Sequence, residues 1–274
     1  MTKGFVVLRN FTVVSLTGAS CSLNCFYCSA KYISSMEPTL TPEGLEKFVT
    51  RAVKAGVKGL MVSGGFTADG KLPLKRFIPT LRKLKREYDL VLNVHPGLQD
   101  RETIAEMKDV FDVVDYEFAV TRSSFEAKGM KGRSREEVVE VAQAMIDEGL
   151  DVVPHVMLAH PGDTFEEEVE ALKLAFSLKP RMVNLLVYIP TRGTKGELVK
   201  PSLDLDQVVE LVKVSSSMGE TGLGCMRPYQ WKAKLDRAVK DYVTRVANPA
   251  IQTEELYDAC CSLPERLLSR FRLK

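Results

Sequence analysis

Eight short apolar runs, each separated from the next by a helical pattern, constrain the fold of this chain more than any other feature. They are residues 11–16 (FTVVSL), 59–64 (GLMVSG), 90–95 (LVLNVH), 113–120 (VVDYEFAV), 151–158 (DVVPHVML), 182–189 (MVNLLVYI), 221–226 (TGLGCM) and 242–247 (YVTRVA). Most are continuously apolar rather than alternating, as parallel strands covered on both faces are. The helices between them carry readable starts. Thr41-Pro42 sets an N-cap before a proline at the first helical position, and Ser134/Glu137 and Thr164/Glu167 have capping-box spacing. Strand–helix alternation implies right-handed βαβ units and a parallel sheet. The expected fold is an α/β (βα)8 barrel of TIM type, or a partial (βα)6 barrel if the last two strands fail. With no linker or shift in composition, residues 1–248 read as one barrel. Residues 249–274 read as a short C-terminal extension over its mouth.

The 274 residues, 45% hydrophobic and 27% charged, suffice for a sizeable core. Net charge is +2, and the one basic run, RKLKR at 82–86, falls in an amphipathic helical pattern whose charges face solvent. No nucleic-acid partner is therefore expected. The N-terminal residues lack a signal peptide's apolar core, and no apolar run is long enough to span a bilayer. The expected setting is the cytoplasm, whose reducing conditions keep six cysteines as thiols.

Cys21, Cys25 and Cys28 lie in the string CSLNCFYC. Three thiols on one loop are one short of a tetrahedral zinc site or a four-cysteine cluster. A disulfide would leave one thiol over, and packing does not account for three cysteines interleaved with Ser22 and Asn24. A [4Fe–4S] cluster held by three thiolates keeps one iron open to a ligand. The C-x3-C-x2-C spacing, with Tyr27 before the last cysteine, resembles the signature of the radical S-adenosylmethionine enzymes. The resemblance implies a [4Fe–4S] cluster, S-adenosylmethionine bound at its open iron, and a 5′-deoxyadenosyl radical. The loop follows the first of the eight runs, and barrels gather their chemistry at C-terminal strand ends.

The same resemblance implies further site residues. Ser63, Gly64 and Gly65 match a glycine motif at which backbone carbonyls meet the methionine ammonium. Phe66 and Thr67 stand where the family usually has an acid, and a plain tight turn is the alternative. Glu117, an acid on an apolar strand, either receives the ribose hydroxyls or pairs with an arginine. By similarity to biotin synthases, Arg133 meets the carboxylate of S-adenosylmethionine; Arg135, or simple solvation of Arg133, competes with that reading. Gly162 in AHPGDT and Pro190 in IPTRGT match loops that flank cofactor or substrate. His95 and His160, at strand ends, either contact substrate or cofactor or cap their loops; mid-strand His155 reads as core.

Cys225, in LGCMRP, and the pair Cys260-Cys261, in DACCSLPE, form a second group. They either bind a second iron–sulfur cluster or are packing residues. The middle-strand cysteines of biotin synthases are absent, although Arg227 stands near the position of their cluster arginine. The Cys-Met-Arg-Pro and Cys-Cys strings resemble the archaeal two-protein lipoyl synthases. That likeness implies a transferase of lipoate biosynthesis which inserts sulfur into an octanoyl chain, with Cys225, Arg227, His95 and His160 at the reaction. The implied partners are a lipoyl-carrier protein or peptide bearing octanoyl-lysine, a paralogous radical enzyme, and an electron donor such as ferredoxin. Rearrangement of a small metabolite, as in methylornithine synthase, is the alternative. An iron–sulfur carrier without catalysis is a third reading.

Overall fold

All eight runs form strands in the computed structural model, which describes residues 2–273. They are β2 (Phe11–Ser15), β4 (Gly59–Ser63), β5 (Val91–Val94), β6 (Val113–Glu117), β7 (Val152–Leu158), β8 (Val183–Val187), β9 (Thr221–Leu223) and β10 (Arg245–Ala247). Three further strands escape the sequence reading: β1 (Lys3–Val6), β3 (Glu37–Pro38) and β11 (Glu255–Asp258). Among the described residues they make one sheet of eleven strands in the order β11-β1-β10-β9-β8-β7-β6-β5-β4-β2-β3, every ladder parallel. The sheet curls into a partial (βα) barrel. Across the gap between its edges, Asp258 at the end of β11 accepts the backbone N–H groups of Leu8, Arg9 and Asn10 at 2.7, 2.8 and 2.8 Å.

The helices are α1 (Pro42–Lys54), α2 (Ile78–Tyr88), α3 (Arg101–Met107), α4 (Arg122–Glu126), α5 (Arg135–Asp147), α6 (Phe165–Ser177), α7 (Leu205–Met218), α8 (Tyr229–Val239) and α9 (Glu265–Leu268). Thr41 caps α1 and reciprocal capping boxes start α5 and α6, as the spacing predicts; Asp204 with Gln207 adds a third box at α7. The main core lies between sheet and helices, where Leu60, Leu92, Val114, Val156 and Leu185 meet the buried faces of α1, α2, α5, α6 and α7. The alternate residues of the same strands line the lumen.

The C-terminal segment is not over the mouth. Cys261, Leu263, Leu268 and Phe271 pack with Phe11, Met61, Val91, Val113, Val153 and Met182, mostly at the N-terminal ends of the strands. Arg270 donates to the carbonyl of Asp89 and accepts from Lys58 at its own carbonyl, both residues that precede strands. Residues 249–274 therefore do not form a separate lid: β11 completes the sheet, and the residues after it plug the opposite end of the barrel. Apolar side chains at the starts of the strands leave that end open to water unless a segment of matching character fills it.

Candidate active site

The cysteine loop leaves β2 at the C-terminal end of the barrel and is fixed from two sides. From β4, Phe66 N–H donates to Cys21 Sγ at 3.3 Å, and Ser22 N–H donates to the Phe66 carbonyl at 2.8 Å. A Cβ added at Gly65 would strike the Ser20 carbonyl and lie 2.6 Å from Cys21 Cα. Gly64 has φ +149°, a conformation that favours glycine. The glycine pair is therefore what lets the cluster loop seat on the sheet. From the other side, the loop after β8 donates Gly196 N–H to the Phe26 carbonyl at 2.9 Å, and Lys31 reaches the Arg192 carbonyl at 2.5 Å. Pro190 lies in this same β8–α7 loop.

Behind the loop stands a polar set that the sequence reading found only in part. Glu117, at the end of β6, pairs with Lys128 and accepts the Tyr27 hydroxyl at 3.2 Å. Lys128 is 5% exposed, whereas 36% of the Glu117 side chain is open, toward the lumen. Burial pushes the Glu117 carboxyl up, but the charge and hydrogen bond of Lys128 and the Tyr27 hydroxyl together hold it below the usual range. Burial likewise opposes the Lys128 charge, and Glu117 and Cys25 outweigh it, so both partners stay ionised. The expected arginine partner of Glu117 is thus a lysine. Arg133 is engaged elsewhere: it donates to Asp69 and to Glu137, at 3.1 and 2.8 Å for its nearest contacts. A lysine in a loop gives no sequence signal, which is why Lys128 was missed.

His160 sits 1% exposed among Phe26, Tyr27 and Tyr188, with ring centroids 5.8, 5.9 and 6.0 Å away. Burial pulls its pKa down to about 4, so the ring is neutral at pH 7. Its backbone N–H donates to Glu168 on α6, and Gly162 takes φ +95° against Ser123, so the AHPGD turn is held rigidly. His95 follows β5, with Nδ1 3.2 Å from the Ser63 hydroxyl and Nε2 3.9 Å from Asp115 Oδ2.

Deeper in the lumen, two expectations change. Glu117 is not alone on β6, because Asp115 shares its face and is fully buried. His155, read as core, lies opposite Glu117 in the ladder and faces the lumen, with Nε2 3.8 Å from Asp115 Oδ1. Cys260 Sγ approaches Asp115 Oδ2 at 3.7 Å, and Asn184 Nδ2 is 3.6 Å from Cys261 Sγ and 2.8 Å from Ser262 Oγ. Cys225 follows β9 and is exposed at its C-terminal end. Arg227 is committed to structure: it pairs with buried Asp236 at 2.9 Å and donates to the Ala247 carbonyl at 2.6 Å.

The first thiol group fits a cluster. It supplies three soft donors and no fourth, beside a buried cation and under a glycine cradle. Burial keeps Cys25 near pKa 11 and raises Cys28 as well, so these two thiols hold their protons until a metal displaces them. Among the described residues no three His, Cys, Asp or Glu side chains converge as a single ion requires.

A partial (βα) barrel with a three-thiol loop at its first inner strand defines an enzyme that works through an iron–sulfur cluster. The profile of the radical SAM superfamily matches residues 15–175, and the chain belongs to that superfamily. Membership implies a [4Fe–4S] cluster and S-adenosylmethionine. A curated relative, the tRNA-2-methylthio-N(6)-dimethylallyladenosine synthase of Natranaerobius thermophilus, is 22% identical over 216 residues, 73% of this chain and 48% of the relative. The chain thus spans about half the length of that relative. Among solved structures, methylornithine synthase superposes with a TM-score of 0.62 at 15% identity, over 92% of this chain and 74% of the other. HydG, a maturase of the [FeFe]-hydrogenase, gives 0.65 at 15% identity, over 89% and 56%. SuiB of Streptococcus suis gives 0.61 at 13%, over 90% and 55%. These likenesses establish the shared barrel. No helix among the described residues is long and apolar enough to cross a membrane.

Proposed function

We propose that this radical SAM enzyme inserts sulfur into an unactivated C–H bond of an octanoyl chain in lipoyl cofactor biosynthesis, with a second iron–sulfur cluster as sulfur source. The observation that carries the reading is the entry of the plug cysteines into the lumen. Cys260 and Cys261 come from the plug and reach Asp115 and Asn184 inside the barrel, and Cys225 stands at the C-terminal end of β9. Held by Cys21, Cys25 and Cys28, the first cluster with S-adenosylmethionine would supply a 5′-deoxyadenosyl radical, and a second cluster held by Cys225, Cys260 and Cys261 would supply sulfide together with ferric iron to take up the electron that carbon–sulfur bond formation releases.

The chain's own residues hold the parts in place. Cys21, Cys25 and Cys28 ligate the first cluster, and Phe66 N–H donates to one of those thiolates. Lys128 offsets their negative charge and holds Glu117 ionised beside them. Glu117 receives the ribose hydroxyls, with its orientation set by Tyr27 and Lys128. Neutral His160 and its aromatic neighbours exclude water from the radical's path. A lipoyl-carrier protein or peptide bearing octanoyl-lysine would present the chain at the mouth. A paralogous radical enzyme and a ferredoxin-type donor would complete the system, in a reducing cytoplasm. The methylthio group in the curated relative's name is in keeping with carbon–sulfur chemistry.

A second reading, rearrangement of a small polar metabolite, draws on the lumen's polarity. Asp115, His95 and His155 would suit a charged substrate better than an alkyl chain unless a cluster occupies them. Iron analysis separates the two. Sulfur insertion predicts about eight irons per anaerobically purified chain, or about six with a [2Fe–2S] second cluster. The Cys225/Cys260/Cys261 triple alanine variant should fall to about four, still cleave S-adenosylmethionine, and yield no sulfur-containing product from an octanoylated peptide assayed with the partner. A wild type with about four irons, unchanged in this variant, removes the sulfur source and leaves the rearrangement standing. Cys25→Ala should abolish 5′-deoxyadenosine formation; wild-type rates in that variant would refute the first cluster's assignment.

A further inference from the structure

The two plug cysteines enter the lumen beside one carboxylate whose burial is not offset. Asp115 lies in the middle of β6, its side chain without solvent exposure. Asn93 Nδ2 donates to Oδ2 at 3.1 Å, and the Cys260 thiol points at the same oxygen from 3.7 Å. Oδ1 has no hydrogen-bond partner, and His155 Nε2 lies 3.8 Å from it. A buried carboxylate with an unpartnered oxygen is costly unless a cation meets it. Among the described residues, no lysine or arginine pairs with it. Arg227 is held by Asp236 and backbone carbonyls. Arg245 is held by Glu220, Glu265 and the carbonyls of Cys261 and Leu263. Lys128 is held by Glu117.

The other donors nearby are less free. His155 Nε2 is engaged by Asn184 Nδ2 at 3.1 Å, and Ser262 Oγ by the same amide at 2.8 Å. His95 is turned by Ser63, and 41% of its side chain is open. Asn93 and Asn184 also carry unpartnered oxygens, but these are neutral amides. Asp115 combines full burial, one oxygen approached by the Cys260 thiol and a second oxygen without a partner. A missing cation beside thiols is most simply iron, for which thiolates and carboxylates are both ligands.

The geometry points to Asp115 as the fourth, non-cysteine ligand of a cluster held by Cys225, Cys260 and Cys261, bound through its carboxylate. This rests on the reading that a second cluster is present. Each cysteine loses its proton on ligation, and Asp115 binds as the carboxylate, so the set brings four negative groups to the irons. An oxygen ligand binds iron more loosely than a thiolate and marks the corner of the cluster that opens most readily. On this assignment that corner faces β6 and the upper lumen, the side on which Glu117 and the cysteine loop lie.

The test uses full-length protein with Cys21, Cys25 and Cys28 replaced by alanine, reconstituted anaerobically so that only the second group can hold iron. About four irons, or about two for a [2Fe–2S] cluster, should remain. Adding Asp115→Asn, which preserves shape, or Asp115→Ala should cut iron at least fivefold with an unchanged circular dichroism spectrum. Asp115→Cys should restore it with altered electron paramagnetic resonance g values. Pulsed resonance of the reduced cluster should show no strongly coupled nitrogen when Asp115 is present and a new one in Asp115→His. The same comparison with the first cluster intact should read a fall from about eight irons to about four. Iron present in the alanine background but unaltered in amount and g values by Asp115→Asn and Asp115→Ala overturns the ligand assignment alone. A strongly coupled nitrogen with Asp115 in place also overturns it, in favour of histidine. No iron in the alanine background, together with about four in the wild type, overturns the second cluster itself.

Discussion

Lys128 shows how much of the site rests on one side chain with no sequence motif. Its ammonium is enclosed beside Glu117, Tyr27 and two of the cluster thiols, and the ion pair with Glu117 holds both charges against burial. Replacing it by methionine keeps the length and removes the charge. Glu117 then has burial raising its pKa with little to oppose it, and the thiolates lose their nearest cation. S-adenosylmethionine should bind at least about tenfold more weakly by anaerobic calorimetry, a change of about 1.4 kcal/mol, while first-cluster iron stays near wild type. Unchanged affinity would take Lys128 out of the binding site. Residue-scale legibility was uneven. The three-thiol loop is visible because its chemistry is local. Asp115 was legible in principle: it precedes Glu117 by two on a strand and so must share its face. Arg133 misled because arginines anchor loops as readily as they bind ligands, and only the positions of Asp69 and Glu137 distinguish the two.

At the scale of elements, local rules carried most of the reading. Parallel inner strands are apolar on both faces and stand out as runs, and capping boxes are confined to four residues, so strands β2 and β4 to β10 and the starts of α1, α5 and α6 were all legible. Strands β1, β3 and β11 were not. They are two to four residues long, and the partners of β1 lie more than 230 residues away. The β7–α6 turn offers a test of how an element is held. Glu168, buried on α6, accepts the His160 N–H, and burial raises its pKa to about 8 despite that bond. An unfolded glutamate titrates near 4.3, so folding takes up a proton between about pH 4 and pH 8, and stability falls as pH rises through that window. His155 and His160, both lowered to about 4 by burial, act the other way, adding stability as pH rises from about 4 to 6.5. Their effect is common to wild type and Glu168→Gln and cancels in the difference. The variant should therefore gain on the wild type from pH 5 to pH 8, by on the order of 3 kcal/mol in urea unfolding. A difference independent of pH would mean that Glu168 is ionised throughout.

The whole molecule is a barrel worked from both ends, and this the sequence could not convey. A C-terminal segment carrying two cysteines can fold over either opening, and the choice depends on which rim is apolar. Phe11, Val91, Val113, Val153 and Met182 make the N-terminal rim the apolar one, so the plug seats there and its cysteines approach the lumen from below. Arg245 fixes the depth to which they enter. It is 1% exposed, holds the carbonyls of Cys261 and Leu263, pairs with Glu265 at 2.7 Å, and lies over the Phe5 ring. Arg245→Met would leave two buried carbonyls without donors, at about 1–3 kcal/mol each, partly offset by the methionine's packing. Glu220 and Glu265 are open enough to be solvated when released. The net loss in urea unfolding should be about 2–4 kcal/mol. Because the staple acts on the plug and not on the cysteine loop, the variant should lose the iron of the second group and keep reductive cleavage of S-adenosylmethionine. Loss of both activities together would mean that the two ends of the barrel are not independent. Retention of both at wild-type stability would mean that Arg245 does not set the position of the plug.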